Sequence, residues 1–233
     1  MAIWTLAALA LQAEAPGFVD KTIDYKGTPT KYVIYVPKEY RPGTPHPAIL
    51  FLHGAGETGT DGRKQTTVGL GPAIRQAPQK WNFIVLFPQA PPTGEVRNRW
   101  MVHEELLLAI LEAARKEYSI DETRLYLTGL SMGGFGTWRL GAKHPKLFAA
   151  LAPICGGGDP SEAAALKDLP IWAFHGDQDK AVPHALSVRM VEAVKAAGGN
   201  PKLTIYPGVG HNSWDKAYRE ENLAEWFLQH RRP

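Results

Sequence analysis

Ala48 to Leu52 reads Ala-Ile-Leu-Phe-Leu, an unbroken apolar run that stops at His53-Gly54. A strand with one face in water alternates apolar with polar residues. An unbroken run is buried on both faces, which calls for helices above and below a parallel sheet. Further candidates for buried strands follow at Phe83 to Phe87, Leu125 to Thr128, Phe148 to Ala152, Ile171 to Phe174 and Lys202 to Tyr206. Helical spacing fills the intervals. It predicts helices over Val102 to Tyr118, with Glu104, Glu105 and Glu112 on the polar side, and over Met132 to Lys143, Pro183 to Ala197 and Trp214 to Gln229. Ahead of these units, Phe18 to Tyr25 and Lys31 to Val36 are read as alternating apolar with polar around Lys26-Gly27-Thr28-Pro29, the pattern of an antiparallel hairpin. The expected class is therefore α/β: a mostly parallel central sheet with helices on both faces and an N-terminal hairpin.

No stretch between these elements has a linker's composition, and 233 residues suit one catalytic domain over 18–233 preceded by an N-terminal segment, 1–17. That segment holds an apolar run from Ile3 to Leu11 and an A-x-A pattern at Ala13-Glu14-Ala15. It lacks the basic start of a secretory signal, the first basic residue being Lys21, and it is too short to span a bilayer. A signal remnant and an ordinary first strand or helix both fit, so cytoplasmic and exported locations stay open. With 26 basic and 23 acidic residues spread along the chain, neither nucleic acid nor an anionic membrane is an expected partner. Cys155 is the one cysteine, so no internal disulfide forms, and a buried bystander is the expected role for it. No Cys/His spacing fits a metal site.

Gly129-Leu130-Ser131-Met132-Gly133 fits G-x-S-x-G, with a predicted strand before it and a predicted helix after it. That context gives the motif its meaning. A serine on a tight strand-to-helix turn projects its hydroxyl, the flanking glycines let the backbone close up, and the helix N-terminus favours a developing oxyanion. A serine hydroxyl is a weak nucleophile until a base takes its proton. Of eight histidines, His211 sits in Gly208-Val-Gly-His-Asn-Ser-Trp214, a Gly-rich loop between the last predicted strand and the last helix. His53 and His175 end buried strands, where orienting or packing roles are expected. His46, His103, His144, His184 and His230 fall in helices, turns or the tail. An acid must orient the imidazole. His175-Gly-Asp-Gln-Asp-Lys-Ala-Val-Pro183 supplies Asp177 and Asp179, and either can instead form the turn or cap the next helix. For the oxyanion, one donor is the N–H of Met132, the residue after the serine. The other comes from His53-Gly-Ala-Gly-Glu57, the loop after an early central strand, and is assigned to Ala55.

Taken together, His53-Gly-Ala-Gly-Glu57, Gly129-Leu-Ser-Met-Gly-Gly134, His175-Gly-Asp-Gln-Asp179 with Val182-Pro183, and Gly210-His-Asn-Ser-Trp214 resemble compact bacterial carboxylesterases of the α/β-hydrolase superfamily. These form its phospholipase/carboxylesterase, feruloyl-esterase-like and "predicted peptidase" branch. The resemblance runs from about residue 18 to 230 and implies the α/β-hydrolase fold. It implies Asp179, rather than Asp177, as the acid of a triad with Ser131 and His211, and Ala55 as an oxyanion donor. It also implies ester hydrolysis through an acyl-enzyme without metal or organic cofactor. Lids of this fold follow the sixth strand, where Pro153 to Leu169 is too short for one. An open site for a short-chain or polymer-linked ester is thus expected, with Trp214, Trp100, Gln89 and Glu57 along the cleft. A peptidase or acyltransferase would use the same triad; a non-catalytic binding protein would be expected to lack a member of it.

Overall fold

The computed structural model describes residues 16–93 and 95–233, so the apolar run and A-x-A pattern of the N-terminal segment lie outside the described residues. Eight strands form one sheet: β1 (Gly17–Tyr25), β2 (Thr28–Val36), β3 (His46–Leu52), β4 (Ile84–Pro88), β5 (Ile120–Leu130), β6 (Ala150–Ile154), β7 (Trp172–Gly176) and β8 (Lys202–Tyr206). Their order is β1-β2-β4-β3-β5-β6-β7-β8. The strands from β4 to β8 pair in parallel, while β1 runs antiparallel to β2 and β2 antiparallel to β4.

The hairpin turn is tighter than the sequence suggested. Thr28 and Pro29 already belong to β2, opposite Tyr25 and Asp24, and only Lys26-Gly27 turns the chain. Both have positive φ, 54° and 77°, as a two-residue turn matched to strand twist requires. Asp24 Oδ1 accepts the Gly27 N–H at 2.8 Å. Pro29 has no N–H to give, and it lies outside the stretch of β2, Tyr32 to Tyr35, that pairs with β4.

The helices are α1 (Leu70–Gln76), α2 (Arg99–Val102), α3 (Glu104–Glu117), α4 (Met132–Lys143), α5 (Ala163–Leu166), α6 (Ala185–Ala196), α7 (Trp214–Arg219) and α8 (Leu223–Leu228). Successive strand residues face opposite sides, which splits the core in two. Ala48, Leu50 and Leu52 of β3 pack with Leu107, Ile110 and Leu111 of α3, Trp138 of α4 and Val191 of α6. Ile49 and Phe51 pack on the other face with Ile74 of α1, Tyr218 of α7 and Phe227 of α8. The unbroken apolar runs are thus explained, since β3 to β7 each serve both cores; β8, also expected to be buried, is an edge strand with Lys202 exposed and only Tyr206 buried.

Three helical expectations change. The stretch from Trp214 to Gln229 is two short helices, and the break between them allows Tyr218 and Phe227 both to reach the core. The helix expected from Val102 starts at Glu104, with α2 as a separate turn before it. Helix α1 was not foreseen because Gly71-Pro72 reads as a breaker; Pro is tolerated in a first turn, whose N–H groups have no intrahelical partner. The β6–β7 connection carries only a 3₁₀ turn (Pro160–Glu162) and the four residues of α5. Among the described residues no helix is long and apolar enough to cross a membrane.

Candidate active site

Strands β3, β5, β6, β7 and β8 all end at one edge of the sheet, and the segments that leave them carry His53, Ser131, Cys155, Asp179 and His211. In an open α/β sheet this carboxyl edge is where ligands bind. Ser131 stands between β5 and α4 with φ 54° and ψ −117°, a conformation that side chains other than glycine rarely adopt. Its N–H donates to Ile154 O at 2.9 Å, with Cys155 Sγ at 3.3 Å, which holds the turn against β6. The flanking glycines are steric requirements. A Cβ on Gly129 would lie 2.5 Å from Gly133 O and 2.6 Å from Leu52 O, and one on Gly133 would lie 1.9 Å from Leu52 O.

His211 Nε2 lies 2.9 Å from Ser131 Oγ, and His211 Nδ1 lies 2.7 Å from Asp179 Oδ2. A carboxylate only accepts, so Nδ1–H donates to Asp179 and leaves Nε2 to accept the serine hydroxyl. The Asp179 side chain is wholly buried. Its Oδ1 accepts the N–H groups of Ala181 at 2.9 Å and Val182 at 2.8 Å. Burial works against its charge, but the hydrogen bonds from His211, Val182 and Ala181 outweigh it and hold the carboxyl below its ordinary value. A hydroxyl, an imidazole and a buried carboxylate in this series form an arrangement able to pull a proton from the hydroxyl and hold the imidazolium that results.

Asp177 is elsewhere: its Oδ1 accepts the Gly208 N–H at 2.8 Å and so ties the β7 and β8 loops together. It caps no helix, since His184 precedes α6. His46 pairs with Asn82, His103 with Thr93 and His144 with Glu104.

Ala55 opens a 3₁₀ turn, Ala55–Glu57, and Met132 is the first residue of α4. The leading N–H groups of such turns have no partner inside the helix. The loop is braced from beneath. His53 is buried; its Nδ1–H donates to Gly54 O at 2.6 Å, and its Nε2 accepts the Ala90 N–H at 2.9 Å. Burial pushes this imidazole down to about 4, so it stays neutral in the one tautomer both bonds allow.

Trp100 and Gln89, expected along the cleft, belong to this support. Trp100 is 1% exposed, donates its indole N–H to His53 O at 3.1 Å and packs edge-on against the His53 ring. Gln89 is buried with both ends of its amide used, donating to Glu57 O at 3.0 Å and accepting the Gly62 N–H at 2.7 Å. Both lie under the loop because their residues follow or face buried strand ends, which apolar patterning alone does not reveal. Glu57 is half-buried, and burial raises its carboxyl against the N–H groups of Gly54 and Glu57 itself. Trp214, also half-buried, sets its ring edge-on to His211 with centroids 5.4 Å apart.

Two further neighbours are Arg99, which carries no signal in the sequence, and Cys155, expected as a buried bystander. The Arg99 guanidinium lies 3.9 Å from Met132 Sδ and 3.5 Å from Thr58 Oγ1, beside the turn that begins at Ala55. Cys155 is buried under the serine, its Sγ near both Asp179 and His211, and burial pushes its thiol far up, so it remains protonated.

An eight-stranded sheet of this order, with a strained serine at the carboxyl end of β5, places the chain in the α/β-hydrolase fold. It belongs to the Esterase family, whose model matches residues 24–232. A solved thermostable esterase is 38% identical, superposes with a TM-score of 0.81, and is matched over 92% of this chain and 63% of its own. The bifunctional acetylxylan esterase/xylanase of Neocallimastix patriciarum is 28% identical over 174 residues, 68% of this chain and 23% of that protein. Acetylxylan esterase A of Emericella nidulans is 26% identical over 232 residues, 92% of this chain and 71% of that protein. The chain spans about half or less of the length of the first curated relatives it matches.

Proposed function

We propose that the protein is a serine carboxylesterase and that residues 18–233 act as one catalytic domain. The observation that carries this reading is the continuous hydrogen-bonded series Ser131 Oγ, His211 and Asp179 at the carboxyl edge of the sheet. Membership of the Esterase family supports it. His211 takes the hydroxyl proton as Ser131 Oγ attacks the ester carbonyl. The N–H groups of Ala55 and Met132 receive the oxyanion, the alcohol leaves with the proton from His211, and water then cleaves the acyl-enzyme by the same route.

The substrates proposed are short acyl esters, free or carried on a polymer. The short β6–β7 connection supports an uncovered site. The acetylxylan esterases among the relatives act, by name, on acetyl groups of a polysaccharide, and a small acyl group on a large alcohol suits such a site. Trp214, set against His211, is proposed to wall one side of it, with Glu57 at the mouth.

The test is hydrolysis of p-nitrophenyl esters from acetate to laurate by the wild type, Ser131→Ala and His211→Ala. Loss of the nucleophile or base is expected to lower kcat by about 10⁵ to 10⁶, with the shortest esters the best wild-type substrates. Full turnover by Ser131→Ala would overturn the proposal.

A further inference from the structure

His175 is the one histidine of the buried strand β7, and its side chain is fully enclosed near the strand's end. It touches the loop after β7 and helix α6. Its Nε2 lies 3.1 Å from Asp179 Oδ2 and 2.9 Å from Val182 O. Its Nδ1 lies 2.8 Å from Ser187 Oγ on α6, and Ser187 Oγ lies 2.9 Å from Gly156 O in the loop after β6. Gly156 in turn packs on the nucleophile helix, since a Cβ there would meet Gly134 C at 2.4 Å.

The protons on this ring follow from its partners. Asp179 Oδ2 and Val182 O both only accept, so Nε2 carries a hydrogen shared between them. Nδ1 is then left to accept, and the single Ser187 hydroxyl hydrogen is shared between it and Gly156 O, 2.9 Å from Ser187 Oγ. Desolvation by burial also favours the neutral form, against the pull of Val182 O and Asp179. Neutrality matters. A charged ring here would cancel the Asp179 charge on the side away from His211, whereas a neutral donor holds the carboxylate without consuming that charge. Oδ2 therefore receives two donors, His211 Nδ1–H and His175 Nε2–H, while Oδ1 receives the N–H groups of Ala181 and Val182.

We propose that His175 is a positioning residue of the active site: it aims Asp179 Oδ2 at His211 and moderates its basicity, and it joins the acid loop to the loop behind the nucleophile through Ser187 and Gly156. This rests on the serine esterase reading above. The backbone donors Ala181 and Val182 both engage Oδ1, whereas Oδ2 is held by side chains, His211 Nδ1–H and His175 Nε2–H. The second donor on Oδ2 completes the cage. It also draws density from the oxygen that polarises His211, so its loss leaves a more basic and less well aimed carboxylate.

The experiment compares His175→Phe and His175→Gln, the second keeping an amide donor near the Nε2 position, with wild type on p-nitrophenyl acetate. His175→Phe is expected to lower kcat by about 10- to 100-fold with little change in KM. The acid limb of its kcat/KM profile is expected to move to higher pH, because a less solvated carboxylate holds the His211 proton more tightly. His175→Gln is expected to recover most of kcat and to return the limb toward wild type. Far-UV circular dichroism and thermal unfolding identify any variant that fails to fold. The second readout needs no turnover: in a Ser131→Ala background, the low-field proton resonance of the His211–Asp179 hydrogen bond is expected to shift on His175→Phe and to return toward its starting position in His175→Gln. An unmoved acid limb and unchanged kcat in a folded His175→Phe protein would overturn the inference, as would an unshifted resonance. Turnover retained by Ser131→Ala would instead overturn the esterase reading and leave the resonance test standing.

Discussion

The carbonyl oxygen of Leu52, at the end of β3, lies against Gly133 in the first turn of α4, so closely that a Cβ on Gly133 would stand 1.9 Å from it. Neither group can yield, since one is the backbone of a central strand and the other the backbone of the helix that follows Ser131. Gly133→Ala is therefore expected to cost about 3 kcal/mol or more in urea unfolding. Gly56→Ala, where a Cβ meets nothing within 4 Å, serves as the control. It is expected to stay within about 0.5 kcal/mol of wild type.

His53 links stability to pH. Its imidazole is held down at about 4 by burial, against an ordinary value of 6.5, so between these values the unfolded chain binds a proton that the folded one refuses. Stability then rises with pH across the window and falls as pH drops through it, by about 3 kcal/mol from this residue between pH 7 and pH 4. Urea unfolding at pH 7 and pH 4.5 is expected to show a steeper dependence for wild type than for His53→Gln. Equal slopes would show that His53 is not the residue responsible.

In the proposed mechanism Asp179 contributes charge as well as aim. Asp179→Asn is expected to lower kcat by about 10⁴ with KM little changed, because an amide favours the wrong tautomer of His211. Steady-state kinetics on p-nitrophenyl acetate measures it. A fall of less than about tenfold would remove Asp179 from the chemistry.

Cys155 lies near Ser131 but is enclosed and protonated. The folded protein is expected not to react with 5,5′-dithiobis(2-nitrobenzoate) over the time in which a denatured sample releases one thiol per chain. Rapid labelling of the native protein, with loss of activity, would place the thiol on an open path to the site.

Tyr218 OH lies 2.9 Å from Thr128 Oγ1, which also donates to Ala152 O at 2.6 Å. Tyr218→Phe deletes one buried hydrogen bond and leaves Thr128 satisfied, so thermal unfolding is expected to register a loss of about 1 kcal/mol.

What the sequence by itself determined is whatever depends on neighbours along the chain. Unbroken apolar runs marked strands buried on both faces, because burial on both sides removes the reason for alternation. Gly129 and Gly133 around Ser131 marked the strained turn, because only a missing Cβ permits it. Contacts between distant segments were decided only by the tertiary structure. Asp177 and Asp179 are chemically alike and two residues apart, and only the approach of the β8 loop gives one to Gly208 and the other to His211. Trp100 and Gln89 carry no mark that separates a cleft wall from a support, and their burial follows from packing against His53 and the 57–62 loop. The split of the last helix arose the same way, since two short helices bury Tyr218 and Phe227 on a twisted sheet. Local steric and hydrophobic rules act over a few residues and can be read in order; the pairing of polar groups acts through space, and folding alone brings those partners together.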